Sequence, residues 1–116
     1  MRKQKILFTI LFLMPGMLLL AGTAKKETFK VYGVCGLCEN RIETAAKTVE
    51  GVITAHWDQH TRLMELTFDA SKTDVLKVEQ AIADAGHDTE QVRATDEAYN
   101  NLPACCQYER PEANSK

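Results

Sequence analysis

The spacing of apolar residues between Glu27 and Ala94 switches repeatedly between a period of two and a helical period, and that succession limits the fold more than any other feature. Phe29, Val31 and Gly33 alternate with Thr28, Lys30 and Tyr32, the pattern of a strand with one buried face. From Cys38 the period is helical: Ile42, Ala45, Ala46 and Val49 form one stripe, Glu39, Arg41, Glu43 and Lys47 occupy other faces, and Gly51 stops the run. Ile53, Ala55 and Trp57 alternate again, Asp58-Gln59-His60-Thr61 supplies turn residues, and Met64, Leu66 and Phe68 continue the alternation, which predicts a hairpin. Ser71-x-x-Asp74 has capping-box spacing, and Val75, Val78, Ala81, Ile82 and Ala85 follow at helical period up to Gly86. Thr89 to Ala94, with Val92 as its one large apolar residue, is expected to form a last strand.

Strand, helix, strand, strand, helix, strand is the order of the split βαβ, an α+β ferredoxin-like βαββαβ sandwich. Right-handed crossovers place two helices on one face of a four-stranded antiparallel sheet. The first strand-to-helix turn, the hairpin turn and the turn at Gly86-His87-Asp88 then share one end of the domain, which is assigned to residues 25–94. A chain of ~90 residues buries only about 60 to 65% of its unfolded surface, too modest a core for a large substrate-binding enzyme.

Residues 1–24 have the form of a secretory signal peptide: basic Arg2-Lys3-Gln4-Lys5, an apolar stretch from Ile6 to Leu20, and small residues ending at Ala24, after which cleavage is expected. The stretch is shorter than the roughly 20 residues that span a bilayer, and Pro15-Gly16 interrupts it, so the reading is an exported, periplasmic protein. Without Arg2, Lys3 and Lys5, 11 of the 14 basic residues remain against 16 acidic ones, a net charge of −5 that disfavours nucleic acid. Residues 95–116 form a polar tail; Asp96 to Leu102 predicts two helical turns stopped by Pro103, and Gln107 to Lys116, without apolar pattern, is expected to be disordered.

Export places Cys35, Cys38, Cys105 and Cys106 where disulfides persist, so structural bridges are one reading, including bridges between the two pairs. A Cys-x-x-Cys and a vicinal Cys-Cys each close a tiny loop if bridged internally, which constrains the unfolded chain little and strains the geometry. Cys35-Gly36-Leu37-Cys38 instead sets two thiols on a turn entering a helix N-terminus, where unpaired N–H groups favour thiolate, the form a soft metal ion requires. The same arrangement occurs in thiol-disulfide oxidoreductases, the main rival reading. Against it stand the chain's shortness, the small Gly36-Leu37 dipeptide, and Pro103 as the only proline between Lys25 and the second cysteine pair.

With Val31-Tyr32-Gly33-Val34-Cys35-Gly36-Leu37-Cys38, Glu50-Gly51-Val52, Ala55-His56-Trp57-Asp58, Phe68-Asp69 and Ala81-Ile82-x-x-Ala85-Gly86-His87-Asp88, the chain resembles the heavy-metal-associated domain family from about Glu27 to Ala94. The resemblance implies a non-enzymatic carrier that binds Cu(I), Hg(II) or Zn(II) through Cys35 and Cys38, similar to periplasmic mercuric-ion-binding proteins and copper chaperones. It implies as partners a membrane metal transporter or another metal carrier, with the chain itself a monomer. Two departures stand out: Gly33 and Val34 precede Cys35 where the family usually has a methionine, and His87 occupies a turn that often carries an aromatic residue near the metal.

His87 is a third candidate ligand or, in its polar turn, a solvated histidine. His56, His60 and Tyr32 are assigned outward positions, Trp57 and Met64 the core, and Glu79, Asp84, Asp88 and Glu90 a solvated acidic face. Cys105 and Cys106 are expected either to fold back to the Cys35/Cys38 loop and share its ion, or to lie on a free tail where the vicinal thiols oxidise or capture metal independently. From the far pole the tail must cover ~20 Å, which seven helical residues (~10 Å) and four extended ones (~13 Å) span. Tyr99 and Leu102 are the apolar anchors for that docking.

Overall fold

The computed structural model describes residues 23–112. The segment read as a secretory signal, up to residue 22, and residues 113–116 lie outside the described residues. The elements are β1 (Ala24–Lys30), α1 (Gly36–Lys47), β2 (Val52–Trp57), β3 (Leu63–Asp69), α2 (Val75–Asp84), α3 (Asp96–Asn100) and a 3₁₀ turn (Ala104–Cys106). β3 is the central strand of an antiparallel sheet of order β1-β3-β2. This is the ferredoxin-like α+β architecture, with Phe29, Met64, Leu66, Phe68, Ala55 and Trp57 of the sheet buried against Ile42, Ala46, Val78 and Ile82 of α1 and α2.

The fourth strand is reduced to an isolated bridge between Val31 and Thr89, flanked by Tyr32 N donating to Asp88 O and Glu90 N to Lys30 O. A buried carboxylate curls the chain away from the sheet edge. Glu79 on α2 accepts from Thr89 Oγ1 at 2.8 Å and from Gln91 N at 2.7 Å, and Thr89 Oγ1 in turn accepts from Val92 N at 3.0 Å. The segment 89–92 becomes a turn wrapped on Glu79, not a strand.

Two local expectations also change. The N-cap of α2 is Asp74, which accepts from Lys77 N at 2.9 Å, whereas Ser71 turns back and donates to Asp69 Oδ1. A register shift between Val52 and Thr54 rotates Ile53 out to solvent, while Ala55 and Trp57 keep their inward parity. Gly51 and Gly86 hold φ of +104° and +110°, the left-handed conformation that costs least in glycine: Gly86 directly follows the C-cap of α2, and Gly51 sits in the turn from α1 into β2.

The acidic face divides. Asp84 and Glu90 are exposed, but Glu79 and Asp88 are 0% and 1% exposed, each satisfied by several donors. The tail is not a free end over 107–112: Tyr108 is buried and Arg110 is locked to Asp88. Residues 95–110 form a strap whose anchor lies beyond the cysteines, where apolar periodicity gave no signal.

Candidate metal centre

The cysteine loop is built on Trp57. Its indole Nε1 donates to Val31 O at 3.0 Å, pinning the end of the first strand, and its ring fills the space under the loop. Gly33 makes that possible, since a Cβ there would lie 3.0 Å from Trp57 Cη2, 3.1 Å from Cys38 Cβ and 3.2 Å from Ile42 Cδ1. The glycine that departs from the family pattern thus matches a tryptophan packed directly behind it.

Cys35 is the N-cap of α1, in extended conformation, and the two thiols of the loop differ sharply. The backbone amides of Cys38 and Leu37 lie against the Cys35 sulfur and hold its thiol below the usual range. Burial, then the neighbouring Cys106 thiol, pushes Cys38 up to about 11. The first thiol is half-buried and the more readily ionised of the two; the second is enclosed and holds its proton more tightly.

The strap brings the other two cysteines to the same place. The Sγ atoms of Cys35, Cys105 and Cys106 all lie within 4.8 Å of one another, and the buried Cys38 neighbours Cys106 while standing outside that group of three. Cys35 Sγ also contacts Cys105 O at 3.8 Å. All four are free thiols in the structure. Cys38 and Cys106 form a buried inner pair, with Cys35 and Cys105 outside them. Arg41, one turn beyond Cys38 on α1, donates from Nη1 to Cys106 Sγ at 3.3 Å; that i, i+3 spacing was the sequence signal for it.

His87 is fully buried, not solvated. Its Nδ1 donates to Tyr32 O at 2.8 Å, its ring stacks on Tyr108 at 5.4 Å, and Nε2 is buried without a hydrogen-bond partner. Burial holds its imidazole below the usual histidine range. Its ring nitrogens are not among the ligand atoms gathered with Cys35, Cys105 and Cys106. Tyr32 is half-buried, at 6.5 Å from the Tyr108 ring. His56 and His60 are exposed; His56 lies 3.5 Å from Glu43, and with Glu39 these form a separate surface group.

The strap is fastened by the expected Tyr99 and Leu102 together with Tyr108 and Arg110, which sequence reasoning missed. Tyr108 Oη donates to Gly86 O and accepts from Asp88 N, both at 2.8 Å, and Tyr99 Oη donates to Tyr108 O at 2.6 Å. Arg110 makes a bidentate pair with Asp88 at 2.7 and 2.9 Å, and reaches Ala94 O and Asp96. Leu102 packs on Gly86, where a Cβ would stand 2.9 Å from Leu102 Cδ2 and from Ala98 O.

A split βαβ body presenting paired thiols at its first strand-to-helix turn is a small α+β domain of the ferredoxin-like kind. The chain belongs to the family of heavy-metal-associated domains, whose model matches residues 28–88. It is 33% identical over 79 residues to copper-transporting ATPase 1 of Rhizobium meliloti, a match covering 65% of this chain but only 9% of that protein's length. It is 31% identical over 65 residues to the copper chaperone CopZ of Bacillus subtilis, covering 55% of this chain and 94% of the chaperone. The solved structure of oxidized MerP from Ralstonia metallidurans superposes with a TM-score of 0.55 at 35% identity, covering 58% of this chain and 94% of that one.

Proposed function

We propose that this protein is an exported carrier of a soft metal ion, Cu(I), Hg(II) or Zn(II), held as cargo through Cys35 and Cys38. The observation that carries the reading is the unequal pair of thiols at the start of α1, the accessible Cys35 at its N-cap backed by the buried Cys38, with the thiol of Cys35 gathered beside those of Cys105 and Cys106. Such a pair captures a thiophilic ion stepwise. The Cys35 thiolate binds first, and the ion's charge then displaces the proton of Cys38, which burial alone would keep. Delivery runs in reverse, as thiolates of a membrane metal transporter or another carrier attack the ion from the exposed side and Cys38 recovers its proton. The names of the relatives, a copper chaperone and a copper-transporting ATPase, agree with trafficking of this kind. His87 supports the loop from behind through Tyr32 and so tunes the site.

A competition titration of the reduced chain against a chelator of known affinity tests the binding. One Cu(I) or Hg(II) per chain is expected, with affinity falling by orders of magnitude in Cys35→Ser and Cys38→Ser while the circular dichroism spectrum is unchanged. Wild-type affinity in both variants contradicts the reading. The same thiol asymmetry would suit a thiol-disulfide oxidoreductase, and that reading predicts catalytic turnover of a disulfide substrate where the carrier predicts stoichiometric uptake. Export is tested by sequencing the N-terminus of the protein recovered outside the cytoplasm, with Lys25 as the expected first residue.

A further inference from the structure

We propose that Cys105 and Cys106 complete the centre begun by Cys35 and Cys38, so that a single thiophilic ion is enclosed by thiolates from the first strand-to-helix turn and from the C-terminal strap. The proposal rests on the reading that Cys35 and Cys38 hold a soft ion, and adds the ligands that set its coordination number. A tetrahedral thiolate centre with metal–sulfur bonds of about 2.3 Å has its sulfurs about 3.8 Å apart. The sulfurs of Cys35, Cys105 and Cys106 already lie within 4.8 Å of one another, about 1 Å beyond that spacing, and Cys38, buried on the first turn of the same helix and outside that group of three, joins them by a side-chain rotation.

The local backbone is suited to this. Adjacent residues of an extended chain point to opposite faces, which would separate vicinal thiols. Here the 3₁₀ turn Ala104–Cys106 gathers both toward the loop. Charge fits as well. Four thiolates leave a net charge of about −2 around a divalent ion and −3 around a monovalent one, and the Arg41 guanidinium already touches Cys106 Sγ.

The strap is fastened by groups that contain no thiol. Ordering the strap costs conformational entropy, which is offset by the Tyr108 hydrogen bonds to Gly86 and Asp88 and by the Arg110–Asp88 pair. The second pair of sulfurs therefore waits at the loop before an ion arrives. A pair of thiolates alone would favour linear coordination and leave the ion open; the added pair makes a closed shell, with Cys38 and Cys106 deep and Cys35 and Cys105 at the surface where exchange begins.

X-ray absorption on the reduced full-length protein, loaded separately with Cu(I) and with Zn(II), counts the sulfurs. The proposal expects three or more around at least one of the two ions in wild type, falling to two in Cys105→Ser/Cys106→Ser, with affinity lower by about 100-fold or more, beyond the 10–100-fold that loss of a merely orienting partner costs. The Arg110→Ala protein, whose thiols are all intact, is expected to lose the same sulfurs as its strap lifts. A two-sulfur shell in wild type with both ions overturns this proposal and leaves the Cys35/Cys38 reading standing, as does a shell unchanged in the double variant. Failure of wild type to bind either ion overturns both.

Discussion

In the body of the domain, Ile42, Trp57, Leu66 and Ile82 are buried side by side with other apolar groups, whereas in the strap the buried side chains of Tyr108 and Cys106 are held through a hydroxyl, a guanidinium and thiols. The body is stabilised by apolar area, which is non-directional and tolerant of small shifts. The strap is held by directional contacts, each needing its partner in place. The two therefore respond differently to substitution. Truncating the body lowers global stability; cutting one fastening of the strap lets it open over a body that remains folded.

The largest effect is expected in the body. Trp57→Ala removes a fully buried indole, the brace under Gly33 and the hydrogen bond to Val31, and should cost about 3–5 kcal/mol in denaturant unfolding, with all probes shifting together. Arg110→Ala leaves the Asp88 carboxylate buried without its counter-charge, and should weaken strap docking by about 3 kcal/mol. Hydrogen exchange should then speed up over residues 95–110 while β3 stays protected; equal loss of protection in β3 would erase the distinction between the two regions. Gly86→Ala forces a left-handed backbone onto a residue with a Cβ and pushes against Leu102 and Ala98, and should cost about 1–2 kcal/mol, felt first in the strap.

The smallest effect is a pH dependence. Burial holds folded His87 below the unfolded value near 6.5, so the neutral ring's contribution to stability is fully present above that pH. It is lost progressively as pH falls from about 6.5 toward the lower folded value, because the unfolded chain takes up the proton first. Thermal melts between pH 7 and 5 should show this decline in wild type and less of it in His87→Phe; an equal decline in both would assign the sensitivity to other groups.

How much of this was legible in the sequence follows the same division. Periodicity located α1, the β2–β3 hairpin and α2, since apolar burial leaves a repeating trace along the chain, but it set the first strand at residues 28–33 where β1 runs over Ala24–Lys30, a stretch in which Phe29 alone is buried. The last strand was misread because what decides it is one carboxylate, Glu79, reaching across from α2 to Thr89 and Gln91, a long-range polar contact with no period. The solvated reading of Asp88 failed for the same reason, since its partner Arg110 lies 22 positions away in a segment without apolar pattern. Cys35 and Cys38 were legible because their spacing and their strand-to-helix turn lie in one short stretch. Tyr108 and Arg110 were not, for each acts only against the distant Gly86, His87 and Asp88.

Whether this protein carries a soft ion on its own thiols is tested most directly by native mass spectrometry of the reduced chain titrated with Cu(I). One tightly retained ion per monomer is expected at one equivalent, and its loss is expected in Cys35→Ser/Cys38→Ser. A chain that stays unloaded at equimolar Cu(I), or that loads equally well without Cys35 and Cys38, would contradict the assignment.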